Sequence, residues 1–189
     1  MTVVRYMTNF KDTFEKKIIK MLQEKLKIKN PMAVPKLVKI VINSSSREFL
    51  QDKKSLEKVR EDLTLISGQK PKMAKAHKSI ASFKLREGDA IGLTLTLRGK
   101  RMYDFFEKLV RIVFPRVKDF SGISDNALDG HGNITIGFSE HTVFSEIDPG
   151  KVDKIRSLEV TLVTNAKDNK TAKALFEAMG MPFKKGVSS

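Results

Sequence analysis

The sequence predicts an α+β fold: an antiparallel sheet with helices packed on one face, plus a long basic loop. Three observations carry that expectation. Segments of helical period and segments of period two are intermixed, without the regular strand–helix–strand alternation that builds a parallel sheet. Residues 81–86 and 91–97 both alternate, and Glu87-Gly88-Asp89 joins them as a tight antiparallel connection. Apolar residues make up 40% of the 189 positions, enough to fill a core on one side of a sheet whose other side stays polar.

The elements follow in order. Phe10, Phe14, Ile18, Met21, Leu22 and Leu26 recur at helical spacing, with Asn9 and Asp12 as cap and first-turn acid. Asn30-Pro31 and Val34-Pro35 end that helix. Residues 36–43 read as a strand, with Val38, Ile40 and Ile42 on one face and Leu37, Lys39, Val41 and Asn43 on the other. A second helix, roughly 50–66, carries Leu56, Val59, Leu63 and Ile66 and stops at Ser67-Gly68. Residues 67–80 lack a period and read as the basic loop. Two strands come next, over 81–86 and 91–97. Their polar rows are Ser82, Lys84 and Arg86, then Gly92, Thr94 and Thr96 continued by Arg98. A third helix spans 100–114 and is closed by Pro115; residues 116–132 are irregular. Strands over 134–138 and 158–164, a helix from about 169 to 179 and a frayed tail at 184–189 complete a single domain over 1–189.

Charge narrows the function. Lys and Arg total 36 against 22 Asp and Glu, a formal net charge of +14. Such a surface repels itself until a polyanion neutralises it, and nucleic acid is the usual one. There is no Cys, which excludes disulfides, thiolate metal sites and a Cys nucleophile and fits a reducing compartment. No apolar run approaches the roughly 20 residues that span a bilayer. The start of the chain lacks an apolar signal region and carries Asp12 and Glu15, so it reads as unprocessed.

Two constellations are candidates for RNA contact. Lys39, Asn43, Lys84, Arg86, Thr94, Thr96 and Arg98 share one open surface if their strands are neighbours. Cations and hydroxyls suit phosphates, and Asn suits base edges. A merely solvated outer face would alternate in the same way, and the absence of exposed aromatic pairs argues against base stacking of the RRM kind. The second constellation is the basic stretch from Ser67 to Arg86, with Lys70, Lys72, Lys75, Lys78, Lys84 and Arg86 and no acid. The bland alternative there is a flexible surface loop. Asp129-Gly130-His131-Gly132-Asn133 reads as a turn rather than a phosphate cradle, because it lacks the Gly-Lys-Ser/Thr ending. His77, His131 and His141 are not at metal-ligand spacing, and the acids between Asp119 and Asp148 form no nucleophile–base pattern. No enzyme activity, cofactor or metal is expected.

Several strings resemble one family. They include Val34-Pro35-Lys36-Leu37 leading into Ile40-Val41-Ile42-Asn43, Ser67-Gly68-Gln69-Lys70-Pro71, and Phe83-Lys84-Leu85-Arg86-Glu87-Gly88. Thr96-Leu97-Arg98-Gly99 with Arg101-Met102-Tyr103, Pro115-Arg116-Val117-Lys118-Asp119-Phe120 and Asp129-Gly130 with Gly132-Asn133 follow. In this order, from about residue 8 to 184, they resemble the bacterial-type large-subunit ribosomal protein L five family. The resemblance implies a structural, 5S rRNA-binding protein of the central protuberance. It implies Asn43, Gln69 and Thr96 as principal 5S contacts with Arg98 beside them. It also implies a loop carrying Lys72, Lys75, His77, Lys78 and Ser79 toward P-site tRNA. Implied partners are 5S rRNA, 23S-type rRNA, P-site tRNA, protein L eighteen and small-subunit protein S thirteen, the last through residues 112–122 and 135–147. No membrane is implied, and the location is a cytoplasmic or organellar ribosome. The chain departs from the family pattern at Ser44-Ser45-Ser46-Arg47-Glu48, where a glycine-based turn is usual, and at Leu128, His131, Ser145 and Asn165. The rival readings are a general RNA binder or chaperone, and an enzyme built on the 119–148 acids.

Overall fold

A computed structural model describes residues 17–50 and 52–184, the side chains of residues 47 and 53 apart. Five strands form one sheet: β1 (Leu37–Ser45), β2 (Lys72–Lys75), β3 (Ala90–Leu97), β4 (Ile134–Phe138) and β5 (Leu158–Thr164). Their order is β2-β3-β1-β5-β4, and every pairing is antiparallel. Among the described residues four helices of more than one turn accompany them: α1 (Ile19–Leu26), α2 (Lys53–Ser67), α3 (Gly99–Lys108) and α4 (Asn169–Ala178). The fold is α+β, as the patterning predicts. Asn9, Asp12, Phe10 and Phe14, read as the start of the first helix, lie outside the described residues. No helix among the described residues is long and apolar enough to cross a membrane.

One face of the sheet is the core. Ile40 and Ile42 of β1, Leu93 and Leu97 of β3, Ile134 of β4 and Val160 and Leu162 of β5 are buried there. The helices bring Leu22, Leu63, Phe106, Leu175 and Phe176 onto them. Each such side chain contributes about 1.5–3 kcal/mol by leaving water. Two caps fix α2. The Asp52 carboxylate accepts from Lys54 N, and Gly68 takes the left-handed conformation (φ 66°) as its N–H closes on Thr64 O.

Four expectations are corrected. Residues 81–86 are not a strand: Ala81–Phe83 is a 3-10 turn and Lys84 is left-handed (φ 52°). The strand beside β3 is Lys72–Lys75, read from sequence as loop. As a short edge strand with lysine at both ends it has no buried stripe to give it away. Within β1, Leu37 faces Thr164 and Lys39 faces Val163, so Val38 is an extra residue that bulges outward, 43% exposed. The bulge resets the alternation and puts Leu37, not Val38, on the core face with Ile40 and Ile42. Finally, Pro115 does not close the third helix at 114. The chain widens into a π turn over Leu109–Val113 and then makes a last helical turn, Phe114–Arg116. Proline lacks an N–H and crowds the carbonyl four residues back, and the wider turn relieves both problems.

Candidate RNA interface

Among the described residues no helix lies on the second face of the sheet, and this is where most of the candidate residues gather. Strand register places Val41 opposite Thr96, and Asn43 opposite Thr94. On the other side of β1, Lys39 faces Val163, Val41 faces Thr161 and Asn43 faces Glu159. Lys72 of β2 faces Thr94. Directly opposed residues share a face. One open surface therefore holds Lys39, Asn43, Lys72, Thr94 and Thr96, with exposed Arg98 following β3 in the same alternation. Asn43 and Thr96, singled out from sequence, are diagonal neighbours on it. The chain approaches itself closely here: a Cβ at Gly92 would lie 3.0 Å from Ser44 O.

Gln69 belongs to this corner by a different route. Its Nε2 donates to Thr96 O at 3.1 Å, just past the point where β2 stops pairing with β3. Its Oε1 accepts from Arg101 Nη1 at 3.5 Å. Of the three residues expected to act together, Gln69 is tied to Thr96, and Asn43 lies diagonal to Thr96 on the open face. Lys84 and Arg86, expected on that face, are not there. They lie in the excursion between β2 and β3, because the predicted 81–86 strand does not exist.

That excursion is built, not loose. Ala76 N donates to Asp89 O (2.8 Å) and Gly88 N donates to Ala76 O (2.9 Å) at its base. Ile80 and Leu85 exchange backbone hydrogen bonds at 2.9 and 3.1 Å, and Ser79 Oγ accepts from Glu87 N at 2.9 Å. His77, Lys78, Ser79, Lys84 and Arg86 are all exposed along it, Lys75 is exposed at its base, and Phe83 is 54% exposed at its tip.

The charge arrangement is asymmetric. Among the described residues, every ion pair lies away from the open face, the excursion and the start of α3. Lys58 pairs with Asp153, Lys108 with Glu146, Lys154 with Glu48, Lys25 with Glu177 and Lys173 with Asp125. Lys39, Lys70, Lys72, Lys75, Lys78, Lys84, Arg86, Arg98 and Lys100 have no acid within pairing distance among the described residues. On the open face the cations fall on the β2-β3-β1 side. The β5-β4 side offers Glu159, Thr161 and Thr135, the two hydroxyls 3.1 Å apart. This half was missed from sequence, although LEVTLVT alternates visibly.

The acids that suggested an enzyme have structural work. The Asp129 carboxylate accepts from His131 N (2.8 Å), Asn133 N (3.0 Å) and Asn133 Nδ2 (2.6 Å). Burial alone would raise its pKa, but these donors outweigh burial and lower it. Gly132 completes the turn at φ +85°, where a Cβ would sit 2.9 Å from Ala166 O. Glu146 is likewise held below its ordinary value: burial opposes ionisation, and the hydrogen bond from Lys108 overcomes it. Buried His141, 3% exposed, accepts from Arg156 N at 3.2 Å, and its pKa is lowered because burial outweighs the pull of Asp62. Among the described residues no group of three or more His, Asp or Glu is placed to hold a metal ion.

A groove of about 420 Å³ lies between Phe114–Phe120 and Ile136–Val143, with Val117, Phe138 and Val143 among its walls and Arg116, Lys118 and Glu140 at its edge. It joins the two segments that the resemblance assigns to the small subunit.

Known proteins are similar to this chain over nearly its whole length. The family model described as Ribosomal protein L5 matches residues 30–86, and the model for the C-terminus of the same ribosomal protein family matches residues 90–183. The chain belongs to the ribosomal protein L5 family. Among curated relatives, the large ribosomal subunit protein uL5 of Desulforapulum autotrophicum is 52% identical over 94% of this chain and 99% of its own. The uL5 of Syntrophomonas wolfei is 49% identical over 94% of this chain and 100% of its own, and that of a Thermoanaerobacter strain 47% over 95% and 100%. As a member of the L5 family the chain is a structural protein of the large ribosomal subunit, not an enzyme. β1 and β2 come from the first matched segment and β3, β4 and β5 from the second, so one sheet joins both.

Proposed function

We propose that the chain binds 5S rRNA on the open face of its sheet, acting as one RNA-binding unit of a cytoplasmic ribosome. The observation that carries this reading is the segregation of charge. The β2-β3-β1 side of the open face and its neighbours keep cations that no acid among the described residues pairs with, while the ion pairs that do form among the described residues lie elsewhere. Lys39, Lys72 and Arg98 take phosphates and supply salt-dependent affinity. Asn43 and Thr96 supply directional contacts to bases or sugars. Deep A-form grooves are closed to side chains, and a broad polar surface suits the shallow groove and its 2′-hydroxyls.

The same proposal gives the excursion a separate partner. Lys75, His77, Lys78, Ser79, Lys84 and Arg86 reach toward P-site tRNA, with Lys72 shared between loop and sheet. The groove along Phe114–Phe120 forms the contact with small-subunit protein S thirteen, and 23S-type rRNA and protein L eighteen flank the chain in the central protuberance.

The test is a filter-binding titration against labelled 5S rRNA at near-physiological salt, with excess tRNA as competitor. Binding that survives the competitor supports the reading. Binding erased by tRNA assigns the chain a general RNA-adhesive role instead.

A further inference from the structure

The connection between β4 and β5, residues 139–157, is held to α2 by a polar stripe. Ser55, Lys58 and Asp62 follow one another along one side of that helix, at i, i+3 and i+7. Each meets the connection: Ser55 Oγ accepts from Arg156 Nη2 at 2.6 Å, Lys58 pairs with Asp153, and Asp62 Oδ2 lies 3.6 Å from His141 Nε2. Through Ser139, Glu140, Thr142 and Val143 the same connection lines the groove opposite Phe114–Phe120.

His141 is the joint of this attachment. β4 and β5 stop pairing at Phe138 and Leu158, and just beyond them His141 N donates to Arg156 O at 3.0 Å. The ring completes the link, because Nδ1 accepts from Arg156 N at 3.2 Å in the place of a backbone carbonyl. Only a neutral ring can do this: with Nδ1 accepting, its one proton is on Nε2. That Nε2 is buried and has no hydrogen-bond partner among the described residues, since Asp62 stops short of it. Protonation reverses the arrangement. Nδ1 becomes a donor facing the Arg156 N–H, while the imidazolium gains from the Asp62 carboxylate. Of the charges around the ring, α2 supplies Asp62, itself flanked by Lys58 and Glu61, and the connection supplies Arg156. α3 supplies Lys108, which is bound to Glu146. Burial and Arg156 favour the neutral ring, and Asp62 opposes them.

We propose that His141 is a proton-sensitive latch: neutral, it closes the base of the connection and holds that wall of the groove in place; protonated, it releases the Arg156 amide and loosens residues 139–157. The proposal stands apart from the RNA reading of the open face. Its sign is fixed. Burial holds the His141 pKa below the ordinary histidine value, so the closed link is present above that value and lost as pH falls through the folded one.

The experiment follows amide hydrogen exchange of the full chain from about pH 7.5 to about pH 5, corrected for the intrinsic pH dependence of exchange. The His141 ring is titrated in parallel by NMR. At the acid end residues 139–157 exchange about tenfold faster relative to β1 and β3, with a midpoint that matches the His141 titration. His141→Asn keeps an acceptor at the Nδ1 position that takes no proton, and it removes the pH dependence. Asp62→Asn leaves the ring in place and removes the carboxylate that favours its protonation, so the midpoint moves to lower pH. Exchange of 139–157 that does not change with pH overturns the proposal. Equal acceleration in β1 and β3 also overturns it, because the whole chain is then unfolding in acid. So does acceleration that persists in His141→Asn, since another group is then the sensor. Should His141→Asn fail to fold, Asp62→Asn decides: a midpoint that stays in place or moves to higher pH contradicts the latch.

Discussion

The two faces of this sheet are made from the same strands and do opposite things. On the covered face Ile40, Ile42, Leu93, Leu97 and Val160 are buried against four helices. On the open face their immediate neighbours in sequence are Lys39, Val41, Asn43, Thr94, Thr96 and Thr161. Burial tolerates almost no change of shape and carries stability; the open face carries little stability and is free to carry recognition. The charges repeat the division: among the described residues the ion pairs lie elsewhere and none forms on the open face.

The comparison makes graded predictions. Phe106→Ala, on the covered side, costs about 3–5 kcal/mol of stability by opening a cavity, seen as a lower denaturant midpoint. The folded fraction keeps the parent's RNA affinity. Asn43→Ala and Thr96→Ala do the reverse: each weakens 5S rRNA binding by about 1–3 kcal/mol and leaves the midpoint almost unmoved. Parent-like binding by both would mean the open face is only solvated.

Glu146→Gln tests the paired layer. It costs about 1–2 kcal/mol by loosening Lys108, which also donates to Ile66 O at 2.8 Å, and leaves RNA affinity alone. Its pH signature has a definite sign. The Glu146 pKa is lowered on folding, so its contribution is present above the ordinary carboxylate value and lost as pH falls through the folded value. An acid titration of stability by circular dichroism shows a shallower loss in the variant. The smallest effect is expected in the excursion. Lys75→Gln and Lys78→Gln change 5S affinity by less than about 0.5 kcal/mol while slowing translation in a reconstituted system; a large 5S loss would place that loop on 5S rRNA instead.

Much of this was legible in the residues. Strict alternation over 134–138 and 158–164 located β4 and β5, and Ser67-Gly68 marked the end of α2 to within a residue. Asn43 and Thr96 were already on polar rows. The misses have physical causes. The 81–86 run alternates because a folded loop tip exposes both kinds of residue, and alternation alone cannot distinguish that from a strand. Lys72–Lys75 is an edge strand whose pairing with β3 is set by the backbone ladder rather than by burial. The Val38 bulge is invisible in composition, since Leu37 and Val38 fit either face equally well. Gln69 was picked by resemblance, but that its amide donates to Thr96 O depends on where β2 stops, which no local pattern reveals. The serines at the end of β1 are held in two ways: Ser44 Oγ, within the strand, donates to distant Ser157 O at 3.1 Å, and Ser46 Oγ, just after it, accepts from Glu48 N at 3.3 Å.

The central claim is that the unpaired cations of the open face, and not the paired ones, meet the RNA. The direct measurement is the salt slope of 5S rRNA affinity for two triple variants. One neutralises Lys39, Lys72 and Arg98 to Gln, and the other neutralises Lys58, Lys154 and Lys173 to Gln. The first should lower the slope by about two to three and the second should leave it at the parent's value. Equal slopes for the two variants, or a loss confined to the second, would contradict the account.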